Sequence, residues 1–291
     1  MARLQDRHPE GAPGDWFVDD RCIDCDAARH VAPGLIERHP ADGNSFFVRQ
    51  PETEEEIAAA WRAVKVCPTR SVGHARLKRP ETPPFPHDLG DGVFRLGHNA
   101  RSSFGAHSYF VRRDSGNLMV DAPRWTREVY GPIGDMGGLD HVLLSHRDDV
   151  ADAERYAEHF DTRVWIHRDD RSAAPYATDL LEGTEPTAIN ESTVAIPVPG
   201  HTKGSVLYLV DGRLLFSGDS LAWSPSREEL IAFRRACWYS WEEQTLSLGR
   251  LAAGHVRFDR LFTGHGWSHD AEADDLHREL VALVDRMAAT P

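Results

Sequence analysis

The stretch Leu143-Leu-Ser-His-Arg-Asp-Asp-Val-Ala-Asp-Ala153 decides the reading of this 291-residue chain. An apolar run, His141-Val-Leu-Leu-Ser145, reads as a short buried strand that stops at His146, and a charged, helix-forming stretch follows at once. Asp148 and Asp152 are four positions apart, so a helix running from here to about Phe160 places both on one face. With His146 at the strand tip, one imidazole and two carboxylates converge on one volume, a set suited to a metal ion. Asp149 reads as a capping or solvated residue, since acids are favoured at a helix start by capping and by the helix dipole.

Three later stretches share this context. His201 in Pro199-Gly-His-Thr202, Asp219 in Ser217-Gly-Asp219 and His265 in Thr263-Gly-His-Gly266 each follow an apolar strand and stand beside glycine, which permits tight turns and close backbone approach. Strand ends on one sheet edge are where sites are built, because rigid strands fix the loop residues. His and Asp together are the usual ligands of zinc, iron or manganese. Between these motifs, Val206–Val210 and Arg213–Phe216 flank Asp211-Gly212 as a hairpin. Ser240 and Glu243 form a capping box, and an amphipathic helix covers about 271–287. Residues 169–190 are polar with little periodicity. His98, His107, His141 and His167 read as structural or surface residues, and Cys237, Trp223, Trp238, Trp241 and Trp267 as packing.

Upstream, residues 1–13 read as a loose polar arm. Residues 14–75 carry strands at Trp16–Val18, 35–38, 45–49 and 71–73, a short helical piece after Cys22-Ile-Asp-Cys25, and a helix opened by the capping box Thr53-Glu-Glu-Glu56. The order β-α-β-β-α-β suggests a ferredoxin-like sandwich. Residues 76–91 are rich in proline and charge and are expected to be a linker, with a second α/β domain over 92–291.

Composition narrows the partners. A formal net charge of −13 argues against a nucleic-acid backbone as the main partner. No run of 18 apolar residues offers a membrane span, and the N-terminus lacks the apolar core of a signal peptide. The expectation is a soluble cytoplasmic protein acting on a small molecule, its oligomeric state open. Four cysteines at this size point to metal or redox use rather than a disulfide framework.

Pro199-Gly-His-Thr, Ser217-Gly-Asp and Thr263-Gly-His-Gly, in this order after Ser145-His146, resemble the metallo-β-lactamase superfamily over about residues 90–291. The resemblance implies an αββα sandwich with metal between the sheet edges, His146 and His201 as first-metal ligands, Asp219 as a bridging carboxylate and His265 as a second-metal ligand. Trp223 with Cys237-Trp-Tyr-Ser-Trp241 looks like a subgroup with an N-terminal ferredoxin domain. The chain departs from the usual His-x-His-x-Asp-His: Asp148 stands in the second His position, Asp152 is the nearest later acid, and Ala153 cannot bind a metal. One well-held ion is therefore expected rather than a full pair. Single-cluster ferredoxins read Cys-x-x-Cys-x-x-Cys with a distant Cys-Pro. Here Cys22, Cys25 and Cys67-Pro68 match, Ala28 replaces the third thiolate, and His30 is a conceivable substitute; a metal-free relic is favoured over an iron–sulfur cluster.

The leading expectation is a metal-dependent hydrolase of an ester, thioester or lactone, in which the ion activates water and Asp152 or Asp148, if not ligated, takes the proton. Two His and one carboxylate are also the ligand set of non-haem iron oxygenases, so an iron oxidoreductase is the alternative. The losses at Ala28 and Ala153 leave a binding module or pseudo-enzyme as a third reading.

Overall fold

The computed structural model describes residues 1–76, 80 and 82–289. Its N-terminal part holds β1 (Trp16–Val18), α1 (Ala27–Val31), β2 (Ile36–Arg38), β3 (Ser45–Phe47), α2 (Glu54–Val66) and β4 (Val72–His74), the expected order. The strands do not join into one sheet. β1 pairs with β4 and β2 with β3, each antiparallel, as two separate ribbons. Alanines 27, 28, 60 and 63 let α1 and α2 approach closely over a core that includes Trp16 and Phe47. The capping box is complete: Thr53 Oγ1 accepts from Glu56 N, and the Glu56 carboxylate accepts from Thr53 N.

The arm expected to be loose is fixed to this core. Arg3 N donates to the Asp19 carboxylate at 2.8 Å, Ala12 N donates to Phe47 O at 2.8 Å, and His8 is buried. Of the expected linker, residues 77–79 and 81 lie outside the described residues. Phe85 is buried in the N-terminal core, and His87–Asp88 is already a strand of the next sheet.

That sheet has seven strands: β5 (His87–Asp88), β6 (Val93–Arg95), β7 (Tyr109–Val111), β8 (Leu118–Val120), β9 (His141–Leu143), β10 (Arg163–His167) and β11 (Asp179–Leu181), neighbours in chain order. Helices α3 (Arg127–Asp135) and α4 (Ala153–Phe160) supply the crossovers into β9 and β10, both parallel additions. A six-stranded sheet follows in the order β12 (Thr187–Ala188), β13 (Thr193–Pro197), β14 (Val206–Val210), β15 (Leu214–Phe216), β18 (Arg260–Phe262) and β19 (His269–Asp270). The ribbon of β16 (Ala222–Ser224) and β17 (Glu229–Ile231), with α5 (Trp241–Ala253), falls between β15 and β18, and α6 (Ala273–Ala288) closes the chain.

Period-two alternation explains the layering. Tyr109 and Val111 of β7, Leu118 and Val120 of β8, and Val206, Tyr208 and Val210 of β14 all enter one core between the sheets. The intervening Phe110 and Met119 face α3 and α4, while Leu207 faces α5 and α6. Both faces of each sheet are thus covered, giving α, β, β, α, and the central strands read as apolar throughout for that reason. Among the described residues no helix is long and apolar enough to cross a membrane.

Two buried phenols tie the sheets together where the strands end. Tyr208 Oη donates to Leu144 O at 2.9 Å, and Tyr109 Oη donates to Thr263 O at 2.8 Å. Tyr208→Phe keeps the ring packing and removes one bond, so it should lower the urea midpoint by the equivalent of about 1–3 kcal/mol; Tyr109→Phe should act alike.

Candidate metal centre

The ends of β9, β13, β15 and β18 place His146, His201, Asp219 and His265 in the same region. Asp219 Oδ2 lies 3.8 Å from His146 Nε2 and 3.7 Å from His201 Nε2. Bonds of about 2.0–2.2 Å at tetrahedral angles set ligand atoms roughly 3.4 Å apart, so these three form a set close to coordinating geometry. A second set comprises Asp149, Asp219 and His265. Asp219 belongs to both. His265 Nδ1 is 2.9 Å from each Asp219 oxygen, and His265 N also donates to Oδ1.

Asp149 is the clearest correction to the sequence reading. It is buried, and neither carboxylate oxygen has a hydrogen-bond partner. The reason is local: residues 146–152 are turns, with Ala151 at φ 35°, and α4 begins only at Ala153. Helical spacing therefore does not apply to Asp148, Asp149 and Asp152. Asp152 is in neither set; its Oδ2 accepts from Trp125 N at 2.6 Å. Asp148 is half-exposed, with Oδ2 3.9 Å from Nε2 of both His146 and His201. Ala153 packs in the core beneath the first sheet.

Whether these residues suit a cation can be judged from their unsatisfied atoms. His146 Nε2, both ring nitrogens of His201 and both oxygens of Asp149 are sealed from solvent without a partner. Each such buried atom costs about 1–3 kcal/mol, and divalent ions at the two sets would satisfy His146 Nε2, His201 Nε2 and one Asp149 oxygen. The residues fit a metal. His146 is prepared for it: Ser145 Oγ lies 2.8 Å from the buried Asp121 Oδ2 and 2.9 Å from His146 Nδ1. A proton on Nδ1 leaves the Nε2 lone pair facing the site.

Burial pushes His146 down to about 3 and lowers His201, so both imidazoles are neutral at pH 7. Burial works against charge on His265, yet Asp219 outweighs it and pushes the ring up to about 10. Asp219 is held below the usual carboxylate range by His265 despite its burial. Asp149 is raised well above that range by burial and then by the Asp219 charge. Burial also raises Asp121 to about 7 against the bonds from Ser145.

Asp170 straps the loops together. Its carboxylate accepts from Arg147 N at 3.0 Å, Thr202 Oγ1 at 2.5 Å and Gly204 N at 3.3 Å, joining the His146 and His201 turns. Nothing in the polar stretch around it marks that role in the sequence. The glycines beside the ligands have a measurable reason. A Cβ at Gly264 would stand 2.7 Å from Asp219 Oδ1 and 3.1 Å from Asp149 Oδ2, and one at Gly218 (φ 49°) 2.5 Å from Ser145 Oγ.

The site opens into a cavity of about 730 Å³ whose walls include Phe104, Phe233 and Trp238, and also Asp24, Cys25 and Asp26 of the N-terminal part. Trp238 is thus a wall residue, whereas Trp223 and Trp241 pack against the core beside α5 and α6. Cys237 Sγ meets Gly200 O at 3.1 Å. Cys22 Sγ accepts from Ser45 N and Cys67 Sγ from Ser71 N. Burial pushes the Cys25 thiol up to about 12. Ala28 is buried at the third cluster position. His30 is engaged elsewhere, its Nδ1 lying 3.2 Å from His107 Nε2 and its Nε2 3.5 Å from Asp26 Oδ1. Three thiols without a fourth protein ligand do not fit a four-thiolate iron–sulfur cluster.

A family model described as the 4Fe-4S single cluster domain of Ferredoxin I matches residues 18–74. No curated protein matches the chain in sequence. Among solved structures, the metallo-β-lactamase FIM-1 from Pseudomonas aeruginosa in its mono-zinc form is similar at 15% identity, over 70% of this chain and 95% of that one, with a TM-score of 0.54. The DIM-1 metallo-β-lactamase exposed to ceftazidime is similar at 15% identity over 69% and 95%, TM-score 0.53. A metallo-β-lactamase from Hirschia baltica is similar at 13% identity over 68% and 95%, TM-score 0.52. The chain has the metallo-β-lactamase fold. That fold is preceded here by a ferredoxin-like domain whose third cysteine position is Ala28.

Gly264→Ala should lower metal occupancy, read by elemental analysis after dialysis, while the far-ultraviolet circular dichroism is kept. Coordination requires neutral imidazole and ionised carboxylate. The first set already has both at pH 7, whereas in the second His265 must lose a proton. Titration with zinc in buffers of differing ionisation enthalpy should show little proton release for one ion and release of at least about one proton, that of His265, for the other. The second ion should bind more tightly as pH rises toward the raised pKa of His265.

Proposed function

We propose that the chain is a metal-dependent hydrolase of an ester, thioester or lactone. The observation that carries this reading is the pair of ligand sets sharing Asp219, with unsatisfied buried nitrogens and oxygens, at the floor of an open cavity of about 730 Å³. His146, His201 and Asp219 would hold one ion, and Asp149, Asp219 and His265 a second. A divalent ion held there supplies Lewis acidity that activates water and polarises a carbonyl.

The remaining work falls to the chain's own groups. Asp148 Oδ2 faces the cavity side and is free to accept a proton from attacking water; Asp152 cannot, being bonded to Trp125 N. Phe104, Phe233 and Trp238 cover the apolar part of a substrate and exclude bulk water around the scissile group. Asp170 and the Ser145–Asp121 pair keep the imidazoles oriented before any substrate arrives.

An iron-dependent oxidation is the second reading, favoured by one observation: the first set is two His and one carboxylate. Elemental analysis of protein purified without oxygen separates the two. Zinc-loaded protein cleaving aryl ester, thioester or lactone probes supports hydrolysis; as-isolated iron with oxygen-dependent turnover supports oxidation; protein that takes up no metal refutes both. For a hydrolase, His201→Ala and Asp219→Asn should each lose at least about 100-fold in rate, the upper range for loss of a ligand's supporting partner alone. Asp148→Asn should lower the rate with the metal retained, and Asp152→Asn should leave it unchanged.

A further inference from the structure

The cavity wall contributed by the N-terminal domain centres on Asp26. Asp24 and Asp26, at φ 55° and 60°, take left-handed backbone around Cys25, a costly conformation for residues with a Cβ. The turn brings Asp26 to the same cavity as His201, Asp219 and His265. Its side chain keeps about a third of its surface (31%), while Oδ1 is sealed.

A directed chain of polar groups stands behind it. Asn99 Nδ2 donates to Gly105 O at 2.6 Å, which fixes the amide orientation, and the same nitrogen lies 3.2 Å from His107 Nδ1. His107 Nδ1 is therefore the acceptor and its Nε2 carries the proton. That Nε2 lies 3.2 Å from His30 Nδ1, so His30 carries its proton on Nε2. His30 Nε2 in turn faces Asp26 Oδ1 at 3.5 Å, and neither atom has another partner. Burial holds both imidazoles neutral. The chain of polar groups thus crosses between the domains at the His107–His30 contact and ends by pointing the His30 N–H at the Asp26 carboxylate within the N-terminal domain.

Charge accounting singles Asp26 out. Asp24 is paired with Arg29 and Arg38, and Arg29 also bonds Ser45. Asp149 and Asp219 belong to the metal sets. Asp148 has Arg147 at 3.8 Å. Of the wall acids outside the metal sets, Asp26 alone has no arginine or lysine within ion-pair distance among the described residues; its one ion-pair contact is with His30.

We propose that Asp26 is a substrate-binding carboxylate lent by the ferredoxin-like domain to the metal-bearing cavity, that it takes an ammonium group of the substrate, and that His30, His107 and Asn99 position it. This rests on the reading of the cavity as a hydrolase site and adds a substrate class, esters or thioesters carrying a basic amine. Phe104, Phe233 and Trp238 would cover the apolar body of such a molecule and can favour its cation.

The test uses the full zinc-loaded chain with two binding probes, phenethylammonium and its neutral N-acetyl derivative, titrated calorimetrically. The wild type should prefer the ammonium at least about tenfold. Asp26→Asn, with metal content and melting temperature unchanged, should erase the preference and leave the neutral probe's affinity intact. His30→Phe, which keeps a ring against Trp267, should reduce the preference in part; a merely structural role would weaken both probes equally. In the wild type itself, ammonium binding should shift the His30 ring ¹⁵N signals, a readout that needs no variant to fold. Equal affinities in the wild type, or equal losses for both probes in Asp26→Asn, would overturn the proposal. Ester hydrolysis without ammonium preference would sink this inference alone, whereas ammonium preference without hydrolysis would sink the hydrolase reading and leave Asp26 as a binding group.

Discussion

Two sheets stacked face to face over one buried apolar layer are the constraint on which the rest depends. Val120, Leu143, Val206, Tyr208, Phe216 and Phe262 fill that layer, and burying side chains of this kind contributes about 1.5–3 kcal/mol each. Strands so clamped can end only where the layer ends. The turns that follow β9, β13, β15 and β18 consequently emerge beside one another, and their side chains meet without any local sequence instruction to do so. Polar straps then trim the spacing: Asp170 between the His146 and His201 turns, Ser145 and Asp121 behind His146, and the two phenols across the sheets.

What the sequence displays and what it hides divide along this line. His201, Asp219 and His265 are legible because each sits in a short glycine turn after an apolar strand. The αββα layering is legible because strand and helix periods are local. Asp149 is hidden because the reading assumes a helix where turns intervene, so a buried, unpartnered carboxylate looks like a cap. The same assumption promotes Asp152, which bonds Trp125 N. Asp170 and Asp121 act across 23 or more residues of chain (Asp170 to Arg147, Asp121 to Ser145), and no spacing rule reaches that far.

The N-terminal domain shows the same division. Its element order follows from capping and alternation, but its pairing into two ribbons is a tertiary outcome of three-residue strands and an alanine-rich helix contact. Ala28 lies in an apolar core with Trp16, Phe47 and the alanines of both helices, and that packing ties the domain's elements together. Residues 24–26 form part of the cavity wall, and Gly105 of the second domain lies so close that a Cβ there would meet Cys25 Sγ at 2.8 Å.

Asp219 is counted in both ligand sets, and this has a thermodynamic corollary. Two ions drawing on one carboxylate are not independent occupants. Whatever factor the first imposes on the affinity of the second, the second must impose equally on the first, because the coupling free energy is a property of the pair. Were both sets filled, their loading would be set jointly, through the carboxylate they share.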